Sequence, residues 1–162
     1  MEIAKTIIAT LKQLCSALNR ANISYCLIGG LAVGIIAKPR ATEDIDILIL
    51  LEEKQKDSLV LLLTKHFELI QDHKIMHFEK ATIWRSVIQH SSIENGGFVI
   101  VDFVFADNDI YKKAVLNPVN LEIDDVTIPI ASPENLIAIK QLSNRPQDLL
   151  DIEAIRNEYF DE

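Results

Sequence analysis

Ile28-Gly29-Gly30, thirteen intervening residues, and then Asp44-Ile45-Asp46-Ile47 form the stretch that decides how this chain folds. The alternation at 44–47 reads as a β-strand, in which successive side chains leave on opposite faces. Asp44 and Asp46 therefore project together while Ile45 and Ile47 enter a core. Their carboxylates lie about 7 Å apart along the strand and repel each other unless a cation stands between them. One magnesium ion, or a pair, is the natural candidate. Gly29 and Gly30 open a short helix with bare backbone N–H groups, where a phosphate can settle. A phosphate cradle beside metal-holding carboxylates points to nucleotide chemistry.

Working outward, Ile3, Ile7, Leu11, Leu14 and Leu18 recur at three- and four-residue spacing, which predicts an amphipathic helix over 2–20. Ala21-Asn22 ends it, and 23–28 reads as a short buried strand. A small helix over 30–37 stops before Pro39, and the second strand covers 44–51. A helix over about 53–66 carries the run Leu59 to Leu63, expected to be largely buried. Strands follow near 67–70, 75–78 and 82–89, then a hairpin connection over 91–97 containing Asn95-Gly96-Gly97. The strand at 98–105 is the most hydrophobic of all. A helix over 108–117 precedes a β-pair, 119–123 with 126–130, turning at Asp124-Asp125. Ser132-Pro133-Glu134 is a strong helix start, with a capping serine, a first-turn proline and an acid at the positive end. That helix runs to about Ser143, and Pro146 starts a last one reaching about Tyr159. Trp84 and the phenylalanines are expected in the core.

The 162 residues are enough for one compact domain with a sizeable core. The longest mostly apolar run, Leu27 to Ala37, is too short to span a bilayer, and the N-terminus lacks the layout of a secretory signal. Cys15 and Cys26 read as small buried hydrophobes and make no disulfide framework, so a cytoplasmic protein is the expectation. Residues 1–100 carry eleven basic and eleven acidic side chains, so the net charge of −8 arises wholly in 101–162, with five basic against thirteen acidic. Such a surface disfavours broad, sequence-blind binding to a polyanion, while leaving room for capture of one RNA end.

Asp102 interrupts Val99-Ile100-Val101-Asp102-Phe103-Val104-Phe105, where an unpaired carboxylate would cost several kcal/mol. Two readings are open. Asp102 forms a salt bridge with an arginine such as Arg85 or Arg40, or its strand lies beside 44–51 and completes a three-carboxylate metal site. The pair upstream favours the second.

These pieces together, Gly29-Gly30, Asp44 and Asp46 at their spacing, and Asp102 on a separate acidic strand, resemble the signature of the polymerase-beta-like nucleotidyltransferase superfamily over about residues 23–105. Ala131-Ser132-Pro133-Glu134-Asn135-Leu136, Lys140, Arg145-Pro146-Gln147-Asp148 and Asp151 further resemble its AbiEii-like branch, which includes toxins of toxin–antitoxin pairs. Antibiotic-modifying nucleotidyltransferases look similar around the first motif. The resemblance implies an α/β (α+β) fold: a mixed β-sheet flanked by helices, in a single domain over 1–162 with a C-terminal helical part at about 132–160. It also implies that Asp44, Asp46 and Asp102 are the catalytic and metal-holding set for two magnesium (or manganese) ions. An NTP would donate NMP to a hydroxyl, releasing pyrophosphate, with Gly29, Gly30, Arg40 and Lys140 on the nucleotide side. The acceptor would be an RNA 3′ end, a protein hydroxyl or a small molecule, and the toxin branch implies an antitoxin partner. Gly30 stands where many members have serine, and the chain is shorter than the full toxins. The alternative is a non-catalytic nucleotide- or partner-binding module that retains the fold.

Several residues keep two readings. Lys38 and Arg40 either touch phosphate or form a solvated basic loop. Lys140 leaves its helix near the apolar stripe, so it snorkels or meets an anion, a triphosphate or Asp148. Asp148 is read as pairing with Arg145 or Lys140 and stapling the last two helices. His73 and His77, about 13 Å apart in extended chain, are too distant to share a metal.

Overall fold

The apolar spacing near the N-terminus forms helix α1 (Glu2–Arg20), with Ile7, Leu11, Leu14 and Leu18 buried along one side. The computed structural model describes residues 2–90 and 97–160. Helix α1 closes with Asn22 at φ 56° and the Ile23 N–H donating to the Leu18 carbonyl at 3.2 Å. That closure uses Ile23, so strand β1 is Tyr25–Ile28 and shorter than the predicted 23–28. Helix α2 (Gly29–Ile36) follows at once, then strand β2 (Asp44–Ile49), a 3₁₀ turn at Glu53–Gln55 and helix α3 (Lys56–His66).

Strands β3 (Phe67–Asp72), β4 (Met76–His77), β5 (Thr82–His90) and β6 (Val99–Phe105) lead to helix α4 (Asp109–Leu116). The β7 (Val119–Ile123) and β8 (Val126–Ile130) pair turns at Asp124, φ 51°, as the Asp124-Asp125 turn predicts. Helices α5 (Pro133–Ser143) and α6 (Pro146–Tyr159) finish the chain. Ser132 caps α5 by accepting from the Asn135 N–H at 3.3 Å. The hairpin connection predicted at 91–97 lies, apart from Gly97, outside the described residues.

The sheet is mixed, as expected. Its order is β3-β5-β6-β2-β1-β8-β7, with β4 on β5. β2 runs parallel to β6 and β1 parallel to β8, while the other pairings are antiparallel. Alternation splits the sheet into two chemistries. Ile45, Ile47, Trp84 and Phe103 are fully buried on the side where Lys56 of α3 lies over the Trp84 ring. Trp84 stacks on Phe103 at 5.4 Å and donates Nε1–H to Asp72 at 2.9 Å. Asp44, Asp46 and Arg85 occupy the opposite, partly open side.

Two expectations about the core need correction. Leu59 and Leu63 are fully buried, but Leu61 between them is 64% exposed. A helix rotates about 100° per residue, so five consecutive side chains cannot share one buried face. Phe67, Phe103 and Phe105 are core, whereas Phe78, Phe98 and Phe160 are exposed, each lying outside the strands or helices that carry the buried stripes. Cys15 and Cys26 are buried and free, and burial pushes their thiols up to about 11 and about 12. No helix among the described residues is long and apolar enough to cross a membrane.

The difference between neighbours on α3 is measurable. Leu59→Ala should cost about 2–5 kcal/mol in a urea titration, and Leu61→Ala less than about 0.5 kcal/mol.

Candidate functional site

β1 ends by turning sharply into α2, and the turn is Gly29. Its φ of +75° lies in the region that disfavours side chains. A Cβ there would stand 2.1 Å from Asp46 Oδ2, so the Asp46 carboxylate lies directly against the bare Cα. Gly29 is thus required by both conformation and space. A Cβ at Gly30 would stand 2.5 Å from Arg40 Nη2, so the guanidinium of Arg40 covers the start of the helix.

Register explains how the carboxylates meet. Asp46 pairs with Asp102 across the parallel β2–β6 ladder, and Asp102 pairs with Arg85 across β6–β5. Directly paired residues point to the same face, so Arg85, Asp102 and Asp46 form one row across three strands. Asp44 lies two residues along β2 on that face. Arg85 donates to both oxygens of Asp102, Nε–H to Oδ1 and Nη2–H to Oδ2, each at 2.9 Å. Both readings of Asp102 therefore have a basis: it stands beside the upstream pair and also holds an arginine. Among the described residues, neither Asp44 nor Asp46 has a side-chain hydrogen bond or ion pair.

The electrostatics follow. Burial, then the fields of Asp102 and Asp44, push the Asp46 carboxyl up to about 7, against the pull of Lys140 and Arg145. Burial and Asp102 also raise Asp44, with Arg85 opposing. The hydrogen bonds with Asp102 strengthen the hold of Arg85 on its proton.

Among the described residues no three His, Cys, Asp or Glu side chains are gathered closely enough to hold an ion by themselves. The donor chemistry nevertheless fits a hard divalent cation. Two carboxylates without partners share a face, a third adjoins them, and their charged forms are disfavoured until positive charge arrives. Asp44 and Asp46 are the residues free to hold such an ion, and Asp102 joins them only by sharing oxygens with Arg85.

The opposite wall comes from α5 and α6. Lys140, 5% exposed, reaches Asp151 at 2.9 Å and Asp148 at 3.5 Å. Asp151 also takes Arg40 at 3.2 Å and Gln147 Nε2–H at 3.0 Å. Asp148 accepts from Ser143 Oγ–H at 2.7 Å and from the backbone and side-chain N–H groups of Arg145, each at 3.0 Å. Burial alone would raise Asp148, but these donors outweigh it and hold its carboxyl below the usual range. Lys140 thus meets anions rather than snorkelling; of the two pairs foreseen for Asp148, Lys140–Asp148 joins α5 to α6, whereas Arg145–Asp148 lies within the cap of α6. Arg40, with Asp151 behind it, is no freely solvated loop residue. Between the two walls lies a cavity of about 680 Å³ that Gly29, Asp46, Arg85, Asp102, Lys140 and Arg145 help to line.

No protein-family model matches this chain, and no curated protein sequence matches it. Solved structures do. TM1012 from Thermotoga maritima, described as a candidate nucleotidyltransferase, has a TM-score of 0.62 at 15% identity, with 94% of this chain and 93% of that one covered. The antibiotic-resistance factor ANT(2″)-Ia gives 0.53 at 10% identity over 97% and 85%. The lincosamide adenylyltransferase LnuA gives 0.50 at 16% identity over 94% and 95%. The fold is a nucleotidyltransferase fold. At such identities the likeness extends to the fold, and residue roles rest on this chain's own geometry.

Sequence reasoning gave Asp151 no role of its own, although it is the hub joining Arg40, Lys140 and Gln147. The available signal was its place one residue before Ile152 on the buried side of α6. Asp151→Ala would leave Arg40 without its carboxylate and buried Lys140 with Asp148 alone, and should cost about 3–5 kcal/mol by chemical denaturation. Asp46 gives a pH signature. Its carboxyl titrates at the ordinary 3.8 when unfolded and is pushed up to about 7 when folded, so the native state binds the extra proton between those values. Its contribution to stability therefore falls as pH rises through that window, by up to about 1.4 kcal/mol per pH unit. In chelator-treated samples Asp46→Asn removes this loss, so its advantage over wild type should grow from pH 4 to pH 7. A pH-independent difference would contradict the raised value.

Proposed function

We propose that the chain is a divalent-metal-dependent nucleotidyltransferase that moves NMP from an NTP to a hydroxyl, and that Asp44, Asp46 and Asp102 are its catalytic set. The observation that carries this reading is the row of carboxylates on β2 and β6 beside the Gly29 turn, within a fold shared with nucleotidyltransferases. The acceptor oxygen bonds to the α-phosphorus and the bond from phosphorus to the bridging oxygen breaks. Pyrophosphate leaves, and the hydroxyl proton passes to a carboxylate of the cluster or to water. Bound magnesium or manganese would acidify that hydroxyl and neutralise the charge developing on the phosphates.

The protein's own part is positioning and electrostatics, which dominate phosphoryl-type transfers. Asp44 and Asp46 would hold the cation from one strand, and Asp102 would help to hold it from the next. The N–H groups of Gly29 and Gly30 at the start of α2 would receive phosphate oxygens, with Arg40 beside them. Arg40 beside Gly30 and Lys140 on the cavity wall would add positive charge toward the triphosphate, each shared with the carboxylates it already pairs with. The whole chain acts as one domain in this reading, at work in the cytoplasm.

A small hydroxylated molecule is the acceptor favoured here. The acidic last third attracts a cationic acceptor and repels a long polyanion. LnuA is described with lincomycin bound and ANT(2″)-Ia with adenylyl-2″-tobramycin, which supports that choice. An RNA end or protein hydroxyl, with an antitoxin partner, belongs to the AbiEii-like reading, supported by the Lys140, Arg145 and Asp148 pattern. The hold of Arg85 on Asp102 favours a second reading, a nucleotide-binding module without transfer.

Incubation with each α-labelled NTP, magnesium, and panels of aminoglycosides, lincosamides, RNAs and cell extract tests the proposal. Wild type should transfer label to one class, and Asp44→Ala should lose about a hundredfold or more of the rate. Magnesium–NTP raising the melting temperature with no transfer to any acceptor would favour the binding module. Transfer indifferent to Asp44→Ala would overturn the catalytic assignment.

A further inference from the structure

One of the three carboxylates in this reading is already occupied. Arg85 spends two hydrogen bonds on Asp102, and the strand register sets them side by side with Asp46 next in the row. The two partners differ in freedom. The Asp102 side chain is 11% exposed and fixed in the middle of β6, whereas the Arg85 side chain is 40% exposed at the wall of the cavity. A long, half-open side chain can leave by rotating its own bonds, while the carboxylate stays with its strand. Of the other basic groups of the cavity wall among the described residues, Lys140 and Arg145 are engaged on the far side with Asp148 and Asp151, and Lys80 makes no ion pair with a carboxylate of the cluster. Arg85 is therefore the basic side chain paired with the cluster itself. Its guanidinium stays charged at every working pH and matches a carboxylate two-pronged, so it can stand where a cation would otherwise neutralise Asp102.

We propose that Arg85 is a positioning residue that holds Asp102 in the resting chain and competes with the divalent cation for it, so that Arg85 sets the metal affinity of the site. This rests on the metal-dependent reading above. Bringing Asp102 to the metal would then weaken or break at least one of its two hydrogen bonds with Arg85. An arginine that merely oriented Asp102 toward the ion would have the opposite effect when removed, which gives the test its sign.

The test is calorimetric titration of Mn²⁺ into the full chain after chelator treatment, without nucleotide or acceptor. Wild type, Arg85→Gln and Arg85→Lys are compared, each alone and with Asp102→Asn. Arg85→Gln should bind Mn²⁺ about tenfold more tightly, the scale of one charge-assisted hydrogen bond no longer in competition. Arg85→Lys keeps the charge but loses the fork, and should fall between wild type and Arg85→Gln. With Asp102→Asn most of the gain should vanish. Unchanged or weaker binding by both Arg85 variants would overturn the competition and leave the metal-dependent reading standing. An undiminished gain in the Asp102→Asn background would also overturn it, because Arg85 would then act through its charge alone. Absence of Mn²⁺ uptake by every protein would overturn both.

Discussion

The parallel pairing of β2 with β6 forces two carboxylates into adjacent positions on one face of the sheet, Asp46 opposite Asp102. Adjacent like charges in a partly buried site are costly, and much of the surrounding structure compensates for them. Arg85 answers Asp102 from the next strand. Lys140 and Arg145 oppose the rise in Asp46 from the far wall, yet its carboxyl still stands near neutrality. A site held in that state has a standing affinity for positive charge. The proposed role of divalent ions, and of Arg85 as their competitor, both derive from this one juxtaposition.

The C-terminal helices serve the same site. α5 and α6 share a buried network in which Lys140 reaches Asp148 and Asp151, and Asp151 reaches Arg40. Arg40 lies over Gly30, so a carboxylate on the last helix is linked through one guanidinium to the first turn of α2. Buried ion pairs add little net stability, but breaking one is expensive, which suits a device that fixes geometry. The lack of a Cβ at Gly29 and Gly30 leaves the space that Asp46 and Arg40 occupy. Neither glycine could be exchanged without moving one of them.

Much of this was legible from residue patterns. Period-two alternation located β2 with its two acids outward, and Ser132-Pro133-Glu134 located the start of α5, because these signals are local and strong. The interruption of an apolar strand by Asp102 showed that its charge needed a partner. Which partner depended on register between strands far apart in sequence, and no local pattern encodes that Asp102 lies between Arg85 and Asp46. Asp151 was missed for the same reason: its partners come from a loop and another helix. Leu61 and Phe78 were misread because hydrophobic character alone does not say which way a side chain faces.

The central claim is that Asp44 and Asp46 carry divalent cations beside the glycine turn. Anomalous scattering from crystals grown with Mn²⁺ and a non-hydrolysable NTP measures this directly. The account predicts an anomalous peak about 2.0–2.3 Å from carboxylate oxygens of both residues, with phosphate oxygens completing the shell. Nucleotide bound at Gly29 with no manganese near either carboxylate would contradict it.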